Sequence, residues 1–159
     1  MDPALEYLFQ IRLHFTRVQN IEHMPSGAGR GAVYVDSGTV SGPRLNGTVV
    51  PGSGGDWALF RPDGVLSFDA RYMLSADDGA LILLRNRGYL WGRTPDVMPR
   101  IRAWIFAGGP PVPHEEYYLR AAPTFEAPTG PHDWLMRHVI VGVGERMQDG
   151  NLIRYYALL

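Results

Sequence analysis

The chain has 159 residues, a net charge of −1 with both signs mixed along it, and no cysteine. Length bounds it to one domain over 1–159 with a real core, and the charge balance excludes a nucleic-acid footprint or a basic membrane patch. The missing cysteines exclude disulfides, thiolate catalysis and cysteine-ligated zinc, and fit a cytoplasmic protein.

The first segment sets the class. From Leu5 to Thr16 the odd positions are Leu5, Tyr7, Phe9, Ile11, Leu13 and Phe15. The even positions are polar apart from Leu8. A period of two over this length predicts a long strand with one dry face. Glu6, Gln10, Arg12 and His14 interrupt the apolar residues, so the segment reads as no signal peptide. No later stretch approaches the roughly 20 apolar residues of a membrane helix.

Strands are predicted next at 32–42 and 44–50, around a Gly-Pro turn. Pro62-Asp63-Gly64 then closes the clearest hairpin, because proline presets φ and Gly64 accepts a positive φ. After it, Leu66, Phe68, Ala70, Tyr72 and Leu74 share one face, and Ser67, Asp69, Arg71 and Met73 the other. Asp78-Gly79 predicts a further turn into a strand at 80–84. Val97, Ile101, Trp104 and Ile105 carry helical spacing, which predicts one short helix at 96–107, capped by Asp96 and stopped by Gly108. A strand at 117–125 and a hairpin across 148–151 complete the chain. About nine or ten strands and one helix predict an all-β fold, an antiparallel closed or nearly closed β-barrel.

Motifs that superficially suggest chemistry fail on context. "GAGRG" and "PGSGG" are followed by strands, whereas a phosphate loop needs a helix N-terminus, and "PGSGG" lacks the lysine and Ser/Thr. Both read as turns. The five histidines are scattered, and "HEEYY" lacks a second histidine four residues on, so no metal site is expected. There is no Gly-x-Ser-x-Gly elbow for acyl-enzyme chemistry.

Acids, an arginine and aromatics remain. Asp56 opens a strand after the glycine turn, with Trp57 on the opposite face. If the hairpins close a barrel, Asp56 and Arg71 can face one interior, the acid moving a proton and the arginine holding negative charge. Trp57, Asp69, Tyr72, Tyr118, Arg120, Phe125 and Trp134 complete a candidate pocket for a small organic molecule. The bland readings are an exposed Asp69–Arg71 pair, turn chemistry at Asp78, and Trp57, Tyr72 and Trp134 as core.

A series of motifs runs along the chain at Gly42, Pro43, Leu45 and Gly47, at Pro51 to Trp57, at Asp69, Arg71 and Tyr72, and at Asp78, Gly79 and Ile82. It continues at Tyr118 and Arg120, at Pro123, Phe125 and Glu126, and at Trp134 and Leu135. In these motifs and their order the chain resembles the domain of unknown function 3237 (DUF3237, UPF0311) family. The resemblance implies a lipocalin-like barrel, often paired into homodimers, and little about chemistry. Ser53 lengthens the glycine turn, Met136 stands where asparagine is usual, and "YYLR" has an extra residue before its arginine, which together imply an altered ligand preference.

The functional expectation is an enzyme without cofactor that isomerises, cyclises or eliminates on an oxygenated small molecule, with Asp56 and Arg71 catalytic. The alternatives are a non-catalytic ligand-binding barrel and a structural module whose lumen is filled with side chains.

Overall fold

The computed structural model describes residues 2–159. The described residues form nine strands and one α-helix: β1 (Leu5–Ile21), β2 (Gly29–Ser41), β3 (Gly47–Val49), β4 (Gly55–Phe60), β5 (Leu66–Ala76), β6 (Leu81–Gly92), α1 (Val97–Ala107), β7 (Tyr117–Glu126), β8 (Ile140–Met147) and β9 (Gly150–Leu158). All pairings are antiparallel. The sheet runs β1-β9-β8-β7-β6-β5 and closes through β2 back onto β1. β3 and β4 both sit between β2 and β5, so nine strands fill eight positions of a closed barrel. Closure covers most of the strand edges, which answers the aggregation hazard of so much strand; the thinnest seam is β7–β8, paired at Arg120–Val143 and Ala121–Gly142.

The alternation in β1 is broken where Leu8 breaks it. Pairing with β9 shifts register between Tyr7 and Phe9, a β-bulge that turns both Leu8 and Phe9 inward. The odd residues therefore do not share one face throughout. Leu5 and Tyr7 lie outside, whereas Phe9, Ile11 and Leu13 are buried.

Two other expectations shift. The strand expected at 44–50 shrinks to β3, because the Asn46 amide ties itself to the backbone of Gly42 and closes the segment as a loop. β6 runs on to Gly92, its period of two continuing through Arg85, Asn86 and Arg87. The helix forms as expected and stops at Gly108, whose φ is 67°. Asp96 does not cap it. Its carboxylate instead accepts from the Thr94 hydroxyl and from Arg100.

The interior divides into two. At one end Leu8, Phe9, Tyr72, Leu74, Ile82, Leu84, Phe125 and Tyr155 pack into a dry core, and Leu135 of a short 3-10 helix (Asp133–Met136) covers it. Phe9, Phe125 and Tyr155 meet in tilted and edge-on pairs at 5.2–6.2 Å. Each such side chain contributes about 1.5–3 kcal/mol by leaving water. At the other end Val97, Ile101 and Trp104 lay α1 against Phe68, Leu90 and Leu119. The helix covers part of that end without filling it.

Candidate functional site

The unfilled half of the barrel holds a cavity of about 1230 Å³. Its mouth lies between α1, the β1–β2 loop and the β4–β5 turn, with Phe60, Leu66, Ile105 and Phe106 on the rim. Deeper in, the wall carries Phe15, Asp56, Tyr72, Asn86, Arg146 and Asn151.

The glycine turn at 51–55 places Asp56. Gly52 takes a φ of 67°, and Gly54 and Gly55 are held against neighbouring strands. A Cβ on Gly54 would stand 1.8 Å from the Arg71 carbonyl oxygen, and one on Gly55 2.6 Å from that of Val33. Only glycine lets the chain thread between β2 and β5 here. Ser53 braces the turn, donating to the Val50 carbonyl at 2.7 Å and accepting from the Met73 N–H at 2.9 Å. The strand leaves the turn with Asp56 inward and Trp57 outward, 46% exposed.

One oxygen of Asp56, Oδ1, accepts the Asp69 backbone N–H at 2.9 Å. Burial nevertheless dominates and pushes the Asp56 carboxyl up to about 7, with the Asp69 hydrogen bond and the Arg146 and Arg30 charges opposing it. Arg146 lines the same cavity, as do Arg61 and Arg102. Burial depresses its guanidinium to about 10, while the hydroxyl of Tyr117 and the carboxyl of Asp56 act the other way. Its Nη1 donates to Asn151 Oδ1 at 2.7 Å, its backbone N–H donates to the Tyr117 hydroxyl at 2.7 Å, and its guanidinium carbon lies 5.6 Å from the Phe15 ring centre. Its Nε is buried without a partner, and among the described residues no carboxylate stands within ion-pair distance. Asn86 is the one fully buried polar side chain among the described residues, and its Oδ1 has no partner. Register puts Asp56, Ala70 and Asn86 in one inward row across β4, β5 and β6. Asp56 and Asn86 thus stand on the order of 10 Å apart, two strand spacings. Tyr72 lies one row deeper, its phenol and that of Tyr155 both pushed up by burial.

The other sequence candidates lie elsewhere. Asp56 pairs with Ala70, so Arg71 falls on the outer face and does not meet Asp56. Asp69 is also outside, in a two-pronged bridge with Arg85 at 2.9 and 2.7 Å, and not with Arg71. Tyr118 stacks on Trp91 at 5.2 Å with the Arg120 guanidinium 5.0 Å from its ring centre, and neither Tyr118 nor Arg120 lines the cavity. Phe125 belongs to the packed core, and Trp134 to the covering 3-10 helix, with Arg44 stacked 4.5 Å from its ring centre. Asp78 receives the Ala80 N–H and pairs with His132 at 2.8 Å outside the barrel. Met136 and Ser53 do not line the cavity, so neither departure touches the ligand space directly. Arg146 and Asn86 were missed. The signal was present: Ile140, Gly142, Gly144 and Arg146 alternate inward, as do Leu84 and Asn86. Among the described residues, no group of three His, Asp or Glu side chains gathers as a metal-ligand set.

A closed antiparallel barrel, dry at one end and hollow at the other, with an acid and a cation in the hollow, defines a cavity-bearing β-barrel. The chain belongs to the family described as "Protein of unknown function (DUF3237)", whose model matches residues 3–158. A UPF0311 protein of Clostridium acetobutylicum is 36% identical over 129 residues, spanning 81% of this chain and 77% of that one. The crystal structure of a conserved protein of unknown function from Rhodopseudomonas palustris superposes with a TM-score of 0.88 at 26% identity, over 100% of this chain and 99% of that one. A β-barrel-like protein of Acinetobacter baumannii superposes at 0.82 and 25% identity, over 100% and 98% of the two chains. An enzyme from Penicillium herquei shares the fold at a TM-score of 0.72 and 19% identity, over 100% and 96%.

Proposed function

We propose that this protein is an enzyme without cofactor, an isomerase, cyclase or lyase that moves a proton on a small oxygenated molecule in the barrel cavity. The observation that carries the reading is Asp56, a carboxyl at about 7 on the wall of a ligand-sized space. An acid poised near neutral pH both takes and returns a proton, which contributes about 10²–10⁴-fold. The Asp69 N–H orients one oxygen and leaves the other as the proton carrier. When Asp56 takes a proton from carbon or hydroxyl, negative charge appears on the substrate, and Arg146 offsets it from across the cavity. Phe15 and Tyr72 supply apolar walls that hold the molecule in register. That the same fold serves an enzyme in Penicillium herquei makes catalysis compatible with the barrel; it does not carry the reaction over.

The test is deuterium exchange at the α-carbons of enolisable ketones and 1,3-dicarbonyl compounds in D₂O, followed by NMR. Exchange should accelerate with an inflection near pH 7 and fall by about 10²–10⁴-fold in Asp56→Asn. Exchange no faster than buffer, or unchanged in the variant, removes the proposal. The apolar rim of Phe60, Leu66 and Ile105 favours a second reading, a ligand carrier, in which Asp56→Asn binds the same molecules and nothing is turned over.

A further inference from the structure

The cation in the cavity holds a more specific clue than the acid. Arg146 presents two edges. Its Nη1 is committed to Asn151, and its backbone N–H to Tyr117. The Nε of the other edge has no partner. A guanidinium offers Nε and Nη2 side by side as a fork that matches the two oxygens of a carboxylate. Water commonly satisfies an arginine on an outer face; Arg146 is instead set into the cavity wall, where its charge is desolvated. A half-buried cation with most of its donors unused, beside an aromatic face and on a ligand-sized space, is built for a partner from outside the chain.

We infer that the cavity takes a monocarboxylate, its carboxylate seated on the Nε/Nη2 edge of Arg146 and its hydrocarbon body against Phe15 and Tyr72. Asp56 lies across the space, so the far end of the ligand reaches it. The inference rests on the reading that this cavity is the working site, and it adds the substrate class.

A second consequence couples the ligand to a proton. A bound carboxylate repels an ionised Asp56, so binding and protonation of Asp56 favour each other. The charged or titratable groups acting on Asp56 are Arg146 from β8, Arg30 from β2 and Asp69 from β5. Tyr72, also on β5, stays neutral across this range, its phenol raised by burial. Asp69 is held ionised by Arg85. The cavity wall also carries Glu22, His23, Asp63 and Asp149, and the Asp56→Asn variant separates the contribution of Asp56 from theirs.

Calorimetric titration of the full chain with acetate, hexanoate and benzoate, and with the matching amides, tests both points. At pH 6 at least one acid should bind roughly 10- to 100-fold more tightly than its amide, the range of a charge-assisted pair. Arg146→Met should erase that preference, and Arg146→Lys should restore part of it in a protein whose melting confirms the fold. Between pH 7 and 8 wild-type affinity for the acid should drop by up to about tenfold, and Asp56→Asn should flatten the drop. Equal binding of acids and amides, no binding of any, or a preference that survives Arg146→Met overturns the inference. The two proposals fail separately. Carboxylates that bind through Arg146 without exchange leave the inference standing and the enzyme reading fallen. Exchange on neutral ketones in a protein that binds acids and amides equally does the reverse.

Discussion

The two halves of the barrel share strands and differ in what those strands enclose. In the packed half, inward residues are large and apolar, and they meet: Leu74, Ile82, Leu84 and Phe125 are at most 5% exposed. In the hollow half the same strands turn Ala58, Ala70, Asn86 and Arg146 inward, and no ring of large side chains closes the space. Stability is concentrated where the chain is filled. The proposed site lies where filling stops, and its acid and cation there cost stability that a packed core would not.

That contrast is sharpest under truncation. Leu84→Ala should lose about 2–5 kcal/mol in denaturant melts, since the dry core cannot collapse onto the gap. Ile105→Ala, beside the cavity, should lose about 1 kcal/mol or less, because Ile105 is only half-buried against the helix-side cluster and borders open space. Equal losses would erase the distinction.

Charge gives the next largest effect, with the opposite sign. Asp56 has its carboxyl raised from 3.8 to about 7 in the folded chain. Between those values the folded state holds a proton that the unfolded state has released, so stability falls as pH rises from about 4 to about 7. The loss is roughly 2–4 kcal/mol, complete above pH 7. Asp56→Asn should flatten the slope, leaving the variant more stable than the parent at pH 8. Melting temperatures across that range check it, and a slope unchanged in the variant would remove the desolvated acid from the account.

The smallest effect should come from outside both halves. Arg85→Ala breaks an exposed pair with Asp69, and in high salt it should leave the melting curve in place. A clear shift there would mean that the outer wall contributes to what the hollow half lacks.

How much of this was legible depends on the element. The period of two in β1 and β5 pointed to long half-dry strands, and their number to a closed barrel. Even the bulge had a mark in Leu8, the one apolar residue out of step. The cavity was harder. That Asp56 and Trp57 face opposite ways follows from alternation. Which of them faces in depends on Asp56 pairing with Ala70, a register set by the glycine turn and by β2 on the other side. The same register carries Arg71 outward. Asn86 and Arg146 escaped notice because polar residues inside a strand read as its end or its wet face, and only closure gives them an interior to point into.

The shared place of β3 and β4 in the ring has a further consequence. β3 ends in the packed half, with Val49 beside Leu74, and β4 starts the hollow half at Gly55 beside Arg71. At this one position the wall is spliced, and the splice is a turn of small residues. Loop length is cheap to vary, whereas a continuous strand cannot be lengthened without shifting all its side chains. The acid therefore sits on an adjustable mount. A shift of β4 by two residues against β2 and β5, taken up between Val50 and Gly55, slides Asp56 along the cavity and keeps it inward while the core beneath keeps its register. A shift by one residue would instead exchange Asp56 for Trp57 on the inner face.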